Sequence, residues 1–328
     1  MPQPFRLLLP LAVAVSLACA SGAKNTKEDA PPAAPPAPAA PAPEAKAAPP
    51  PAPKKLEVTA YNSSAPNASV NSYLLSGERE ALLIDAQLVN SEATQLAALI
   101  RKSGKKLTTI FITHPHPDHF MGLQVLQKEF PEARIVARQS VGEAMPALFK
   151  QYEAPLNRFF PGDVASGVVP PAPVEGDTLK LEDFELRILD FQGGESSATS
   201  AIYVPSLKAV FCADMAYNKV HPWLNEMRVE GVLKQVDALV AMPDVDTLYP
   251  GHGPPMSKAD LQPYKDYIAK FLETVASARD SEDVIARMKA AYPDYQTEAG
   301  LRFSANAHVA ARDAAKPPAK PAGKKRKK

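Results

Sequence analysis

The segment THPHPDH, residues 113–119, constrains this chain more than any other stretch. It holds three of the six histidines, and an aspartate, within six consecutive positions. It follows LTTIFI, an apolar β-branched run that reads as a buried strand. His114 and His116 alternate in extended backbone, so both side chains can point the same way. Pro115 and Pro117 stiffen that backbone. Asp118 and His119 then open a helix, where a carboxylate complements the exposed amides of the first turn. Loop histidines that merely cap a helix would account for one imidazole. Three at one strand end repel one another once protonated, so something must hold them together. Neutral imidazole and carboxylate are joint ligands for divalent first-row metals.

The chain around this segment is uneven. Of its 328 residues, 37 are basic and 36 acidic, a balance that argues against a dedicated nucleic-acid binder. Residues 1–20, MPQPFRLLLPLAVAVSLACA, have one early cation and an apolar run too short to span a bilayer comfortably. They read as an export signal, with a noncleaved anchor as the alternative. SLAC resembles a bacterial lipobox, with the leucine one position closer to Cys19 than usual. Cys19 would then carry a lipid and tether the protein to a membrane; the equal alternative is cleavage after Ala20. Residues 21–54 form a linker that becomes almost pure Pro and Ala from residue 31, an extended spacer with no apolar periodicity. Residues 314–328 form a basic, Pro-rich disordered tail, with weak contact to anionic envelope polymers as its functional reading. Cys212 is the only other cysteine, expected as a buried packing residue.

Residues 55–313 make one domain. LEVTAYN, SVNSYLLSG, ALLIDAQ, LTTIFITH, ARIVARQ, SAIYVP and KAVFCADM read as strands, and DTLKLEDFELRILDFQGG as a hairpin turning at Glu182–Asp183. SEATQLAALIRKSG predicts a helix capped by Asn90 or Ser91 and stopped by Gly104. FMGLQVLQKEF carries Met121, Leu123, Leu126 and Phe130 at helical spacing. NEMRVEGVLKQVDALVAM predicts a helix with Val229, Leu233, Val236 and Val240 on one face. VDTLYPGHG is a strand entering a Gly-rich loop, and DLQPYKDYIAKFLETVASAR a long terminal helix. Strands in two groups with helices between and after them give an α/β fold.

THPHPDH matches the H-x-H-x-D-H signature of metallo-β-lactamase-fold hydrolases, and the resemblance extends over most of residues 57–275. LLIDAQ resembles that family's early strand, whose aspartate, here Asp85, supports the metal loop without binding metal. VFCADM resembles the strand that delivers a bridging carboxylate, here Asp214. LYPGHG resembles the late strand and loop that deliver a last histidine, here His252. The resemblance implies a four-layer αββα sandwich and two divalent metal ions, zinc by default. His114 and His116 would hold the first, Asp118, His119 and His252 the second, and Asp214 would bridge them. A hydroxide between the ions would attack an ester, lactone, amide or thioester carbonyl, with Asp118 orienting it or moving its proton.

One departure stands out. The family's third histidine for the first metal is replaced by Glu195, in FQGGESSATSAIYVP. Glu195 either ligates, shifting preference toward harder ions such as Mn or Fe, or faces solvent and leaves that site incomplete. The missing histidine counts against a standard β-lactamase, against glyoxalase-II-like thioester cleavage and against sulfur dioxygenation. Tyr217, three positions beyond Asp214, resembles a tyrosine that polarises the substrate carbonyl in lactone-cleaving relatives; its alternative is a half-buried aromatic. His221 is either a proton donor or substrate contact, or a hydrogen-bonded loop histidine. Trp223 is expected at the pocket rim or below it, and His308, near the tail, receives no role. No G-x-S-x-G elbow and no phosphate-binding P-loop occur. The expectation is an exported two-metal hydrolase of a small molecule. Its alternative is a non-catalytic or single-metal envelope binding protein on the same fold.

Overall fold

The computed structural model describes residues 55–316. The export signal, Cys19, the Pro/Ala linker and the basic tail from residue 317 lie outside the described residues. Six strands form one sheet in the order β1 (Glu57–Asn62), β2 (Asn71–Ser76), β3 (Glu80–Ile84), β4 (Lys106–Ile112), β5 (Arg134–Ala137) and β6 (Ala172–Pro173). β1 to β3 pair antiparallel, and β3 to β6 pair parallel. The second sheet runs β7 (Thr178–Leu181), β8 (Phe184–Gln192), β9 (Ala198–Val204), β10 (Ala209–Tyr217) and β11 (Thr247–His252). Its strands are antiparallel except for the parallel pair β10–β11. The helices are α1 (Asn90–Lys102), α2 (Pro117–Phe120), α3 (Leu123–Glu129), α4 (Gln139–Phe159), α5 (Val229–Ala241), α6 (Leu261–Ser277), α7 (Ser281–Ala291) and α8 (Glu298–Ala314).

Three apolar layers hold these elements as an αββα sandwich. Between the sheets lie Leu75, Leu82, Ile84 and Phe111 from the first and Leu186, Ile188, Ile202 and Phe211 from the second. Ala81, Leu83, Ile110 and Ile112 point the other way, against Leu96 and Ile100 of α1 and Met145 of α4. Val210, Cys212 and Leu248 meet Val236 of α5, Phe271 of α6, Met288 of α7 and Leu301 of α8. Strands covered on both faces have no solvent side, which is why ALLI and TTIFI show no polar alternation.

Several elements depart from the sequence reading. α1 begins at Asn90, with Val89 in the N-cap position and no side-chain cap. The helix expected across Met121 to Phe130 is two helices, α2 and α3. Gly122 sits between them, where a Cβ would lie 1.9 Å from the Ala86 carbonyl oxygen. α4 went unread because Pro146 and Pro155 stand inside it. Each proline lacks an amide donor, yet Val141, Met145 and Phe149 are buried along this helix and hold it. α5 buries Val232, Gln235, Val236 and Leu239, whereas Val240 is exposed, so its inner face is rotated from the expected one. α6 is not terminal: α7 and α8 follow it, and His308 is a buried residue of α8 whose Nε2 meets the Leu224 carbonyl oxygen at 2.9 Å.

Candidate metal centre

Five strand ends and loops deliver the polar residues to one place. The turn after β4 carries His114 and His116, and α2 carries Asp118 and His119. Glu195 comes from the β8–β9 loop, Asp214 from β10 and His252 from the end of β11. Asp214 is aimed by a break in pairing. The β10–β11 register shifts around Ala213, whose φ is 48°, a left-handed value that a non-glycine residue adopts at a cost. Gly251 lets β11 close in, since a Cβ there would stand 1.9 Å from Asp214 Oδ1.

Two groups of donors result. His114, His116, Glu195 and Asp214 offer ligand atoms that lie within 4.8 Å of one another, and so do Asp118, His119 and His252. Asp214 stands between the groups. Its oxygens lie 3.9 Å from His114 Nε2, 3.4 Å from His119 Nε2 and 3.2 Å from His252 Nε2. Asp118 Oδ2 lies 3.3 Å from His252 Nε2 and 3.7 Å from His119 Nε2. Ligands at about 2.0–2.1 Å from one tetrahedral ion stand roughly 3.4 Å apart, so this spacing suits shared cations. The His116 Nδ1 to Glu195 Oε1 contact is closer, 2.6 Å, and would open to admit one.

The imidazoles are oriented from behind. His119 Nδ1 donates to Asp85 Oδ2 at 2.8 Å, His252 Nδ1 donates to the Ala68 carbonyl oxygen at 2.9 Å, and His114 Nδ1 meets Thr113 Oγ1 at 3.0 Å. With Nδ1 as the protonated nitrogen, each Nε2 presents a lone pair inward. Asp85 also accepts from the Thr113 amide and hydroxyl, so it is fully occupied as a support. His116 is reversed: Nδ1 faces Glu195, while Nε2 faces Glu226 at 3.7 Å.

The donor set fits metal ions better than it fits itself. His114 Nε2, His119 Nε2, Asp214 Oδ1 and Glu195 Oε2 are buried with no hydrogen-bond partner. Each such atom costs about 1–3 kcal/mol unless something binds it. Three carboxylates, Asp118, Asp214 and Glu195, share the space, and burying charge is favourable only with compensation. Burial, then neighbouring His119, push His114 well below the ordinary histidine range. Burial opposes a charged His119, His252 or His116. Even so, Asp214 lifts His119 well above its usual value and His252 to about 10, and Glu195 lifts His116 to about 10. Asp118 and Asp214 are held low against burial, chiefly by His119 and His252 respectively.

Tyr217 and His221 take different places. The Tyr217 hydroxyl donates to Asp214 Oδ2 at 2.6 Å, and its ring stacks on His252 with centroids 5.4 Å apart. It therefore braces Asp214 and is buried, not half-buried. His221 contacts none of the metal-facing groups. Its Nδ1 meets Tyr267 Oη at 2.7 Å, and burial holds it down to about 4. Both residues, with His116, Asp118, Asp214, His252 and Trp223, line one cavity of about 440 Å³. Sequence reasoning did not anticipate Ala68, which acts through its backbone, or Glu226, an acid in an irregular loop with no motif around it.

Comparisons with known proteins agree with this geometry. A family model described as the metallo-beta-lactamase superfamily matches residues 65–252. A hydroxyacylglutathione hydrolase of Rhodopseudomonas palustris (strain HaA2) is 28% identical over 165 residues, 49% of this chain and 54% of that protein. The chain thus spans about half the length of that relative. An exodeoxyribonuclease WalJ of Streptococcus pneumoniae is 37% identical over only 70 residues, 21% of this chain and 26% of that protein. Among solved structures, a metallo-beta-lactamase family protein from Thermus thermophilus superposes with a TM-score of 0.58 at 20% identity, covering 79% of this chain and 94% of that one. At that identity the likeness speaks for the fold alone.

Proposed function

The chain belongs to the metallo-beta-lactamase superfamily, and from that premise we propose that it is a metal-dependent hydrolase of a carboxylic acid derivative: an ester, lactone, amide or thioester. The observation that carries this reading is the convergence of seven donors, four of which (His114, His119, Glu195 and Asp214) have buried, unpartnered ligand atoms, beside a cavity lined by His116, Asp118, Asp214 and His252. His114, His116 and Glu195 would hold one divalent ion, and Asp118, His119 and His252 a second, with Asp214 between them. Ions held there would supply Lewis acidity and bring the pKa of a coordinated water toward neutrality. Asp118 is the most accessible of the acids, with 21% of its side chain exposed, and it lines the cavity. It is the residue placed to orient the nucleophile or accept its proton. Tyr217 keeps Asp214 in position, and neutral His221 offers a contact farther along the cavity wall.

Zinc is the proposed ion, with Mn or Fe favoured to the extent that Glu195 ligates. Export, with a lipid on Cys19 or cleavage after Ala20 as equal alternatives, and weak tail contact with anionic envelope polymers complete the proposal on sequence grounds. The second reading, a single-metal or non-catalytic binding protein, draws on the 2.6 Å His116–Glu195 contact, which can close the first site without an ion. Elemental analysis of protein purified without added metal, followed by an ester, lactone, thioester and β-lactam panel, separates the two. Two metals per chain, with turnover abolished in His116→Ala, support the hydrolase. One metal or none, with no turnover across the panel, supports the binding protein.

A further inference from the structure

The cavity beside the metal centre has two unlike ends. Its inner end is polar, with His116, Asp118, Asp214 and His252. Its outer end is walled on one side by Tyr152, Pro155, Leu156, Phe159 and Phe160, from α4 and the residue after it. Trp223, with Ala299, Gly300 and Phe303 of α8, also lines it. Among the described residues, no lysine or arginine lines the cavity. Phe159 is 72% exposed and Phe303 47% exposed, and both belong to this lining. Large exposed aromatics at the mouth of a pocket mark a surface that a ligand covers.

A substrate carboxylate or phosphate in the outer cavity would lose water and meet no cation there, which is strongly unfavourable. An apolar chain would gain contact with aromatic and aliphatic surface on both sides. Resting on the hydrolase reading above, we infer that the substrates are uncharged carboxylic esters or lactones with an apolar chain of several carbons. The chain lies between α4 and α8 while the carbonyl faces Asp118 and the metal centre. The bond between the carbonyl carbon and the ester oxygen breaks, water supplies the new oxygen, and the products are a carboxylate with its proton released and an alcohol (for a lactone, one hydroxy acid).

The test is a chain-length series on the metal-loaded protein, from acetyl to octanoyl 4-nitrophenyl esters. An octanoyl-length ester ending in a carboxylate serves as the charged control. Each buried methylene is expected to raise kcat/KM by up to about fourfold, so the octanoyl ester should exceed the acetyl ester by about a hundredfold or more. The charged control should fall at least about tenfold below the octanoyl ester. Phe159→Asp and Phe303→Asp, both at exposed positions, should each cut the octanoyl-to-acetyl ratio by about tenfold. A second readout does not need turnover. Trp223 is the only tryptophan and lines the cavity, so its fluorescence reports binding of uncleavable methyl ketones, with octyl expected to bind more tightly than ethyl. Turnover with no chain-length dependence, or equal use of the charged ester, overturns this inference and leaves the hydrolase reading standing. No turnover together with chain-dependent ketone binding sinks the hydrolase reading but upholds the apolar-chain site. Neither turnover nor chain-dependent binding overturns both.

Discussion

Replacing Asp85 by Asn tests how the proposed second metal site is aimed. Asp85 has a φ of 62°, a left-handed conformation that Asn adopts nearly as readily, so the backbone should hold. The new side chain can still accept from the Thr113 amide through its oxygen, now at 2.9 Å. Its other atom becomes an NH2 group facing His119 Nδ1, where the carboxylate oxygen now accepts at 2.8 Å. Two donors then confront each other. The conflict is relieved when the His119 proton moves to Nε2, the nitrogen that points at Asp214 and Asp118. A protonated Nε2 has no lone pair for a metal. Loss of such a support typically costs 10–100-fold in metal affinity, or about 1.4–2.7 kcal/mol. The first site should change less, because His114 is held by Thr113 Oγ1 and His116 by the two glutamates. Zinc titration against a chromophoric chelator resolves the two dissociation constants, with circular dichroism as the control for folding. Second-site affinity within about twofold of wild type in a folded variant would refute the tautomer argument.

Other perturbations have equally definite outcomes. Tyr217→Phe removes the hydroxyl that donates to Asp214 and should destabilise the metal-free protein by about 1–2 kcal/mol, read by urea denaturation; an unchanged midpoint would contradict the bracing role. Gly251→Ala places a methyl against Asp214 Oδ1 and should cost about 1–3 kcal/mol, lowering Tm by roughly 2–12 °C and metal content with it; wild-type metal stoichiometry would count against the close approach. His221 is held down to about 4 by burial, with Glu298 and Lys289 acting in opposite directions. The unfolded chain therefore binds more protons between pH 6.5 and about 4, so stability is complete above pH 6.5 and falls by up to about 3 kcal/mol as pH drops through that window. His221→Gln should flatten that slope in pH-dependent urea melts, and an unchanged slope would remove His221 as its source. Chelation should lower Tm, because bound ions stabilise only the folded state and the emptied site leaves buried donors unpaired; a Tm indifferent to chelator would mean that the donors hold no ion.

What could be read in advance follows from the range of the interactions involved. The THPHPDH cluster, the buried strands LTTIFI and ALLI and the hairpin at Glu182–Asp183 are written in local patterns. α4 was missed because Pro146 and Pro155 argue locally against a helix, and only burial of Val141, Met145 and Phe149 outweighs them. The inner face of α5 was misjudged because valine spacing alone does not say which stripe meets the sheet. Glu195 was located because it stands where the family's third histidine is expected, but its approach to His116 is a tertiary fact. The left-handed Ala213, the carbonyl oxygen of Ala68 and the glutamate behind His116 carry no signature in a single chain. Each acts through a contact made by residues far away in sequence.

Diffraction data from crystals of the protein purified without added metal, collected on either side of the absorption edges of zinc, iron and manganese, test the central claim most directly. Two anomalous peaks are expected, one among His114, His116 and Glu195, the other among Asp118, His119 and His252, with Asp214 reaching both. A single peak, or none, in a cluster whose side chains are otherwise arranged as here would contradict it.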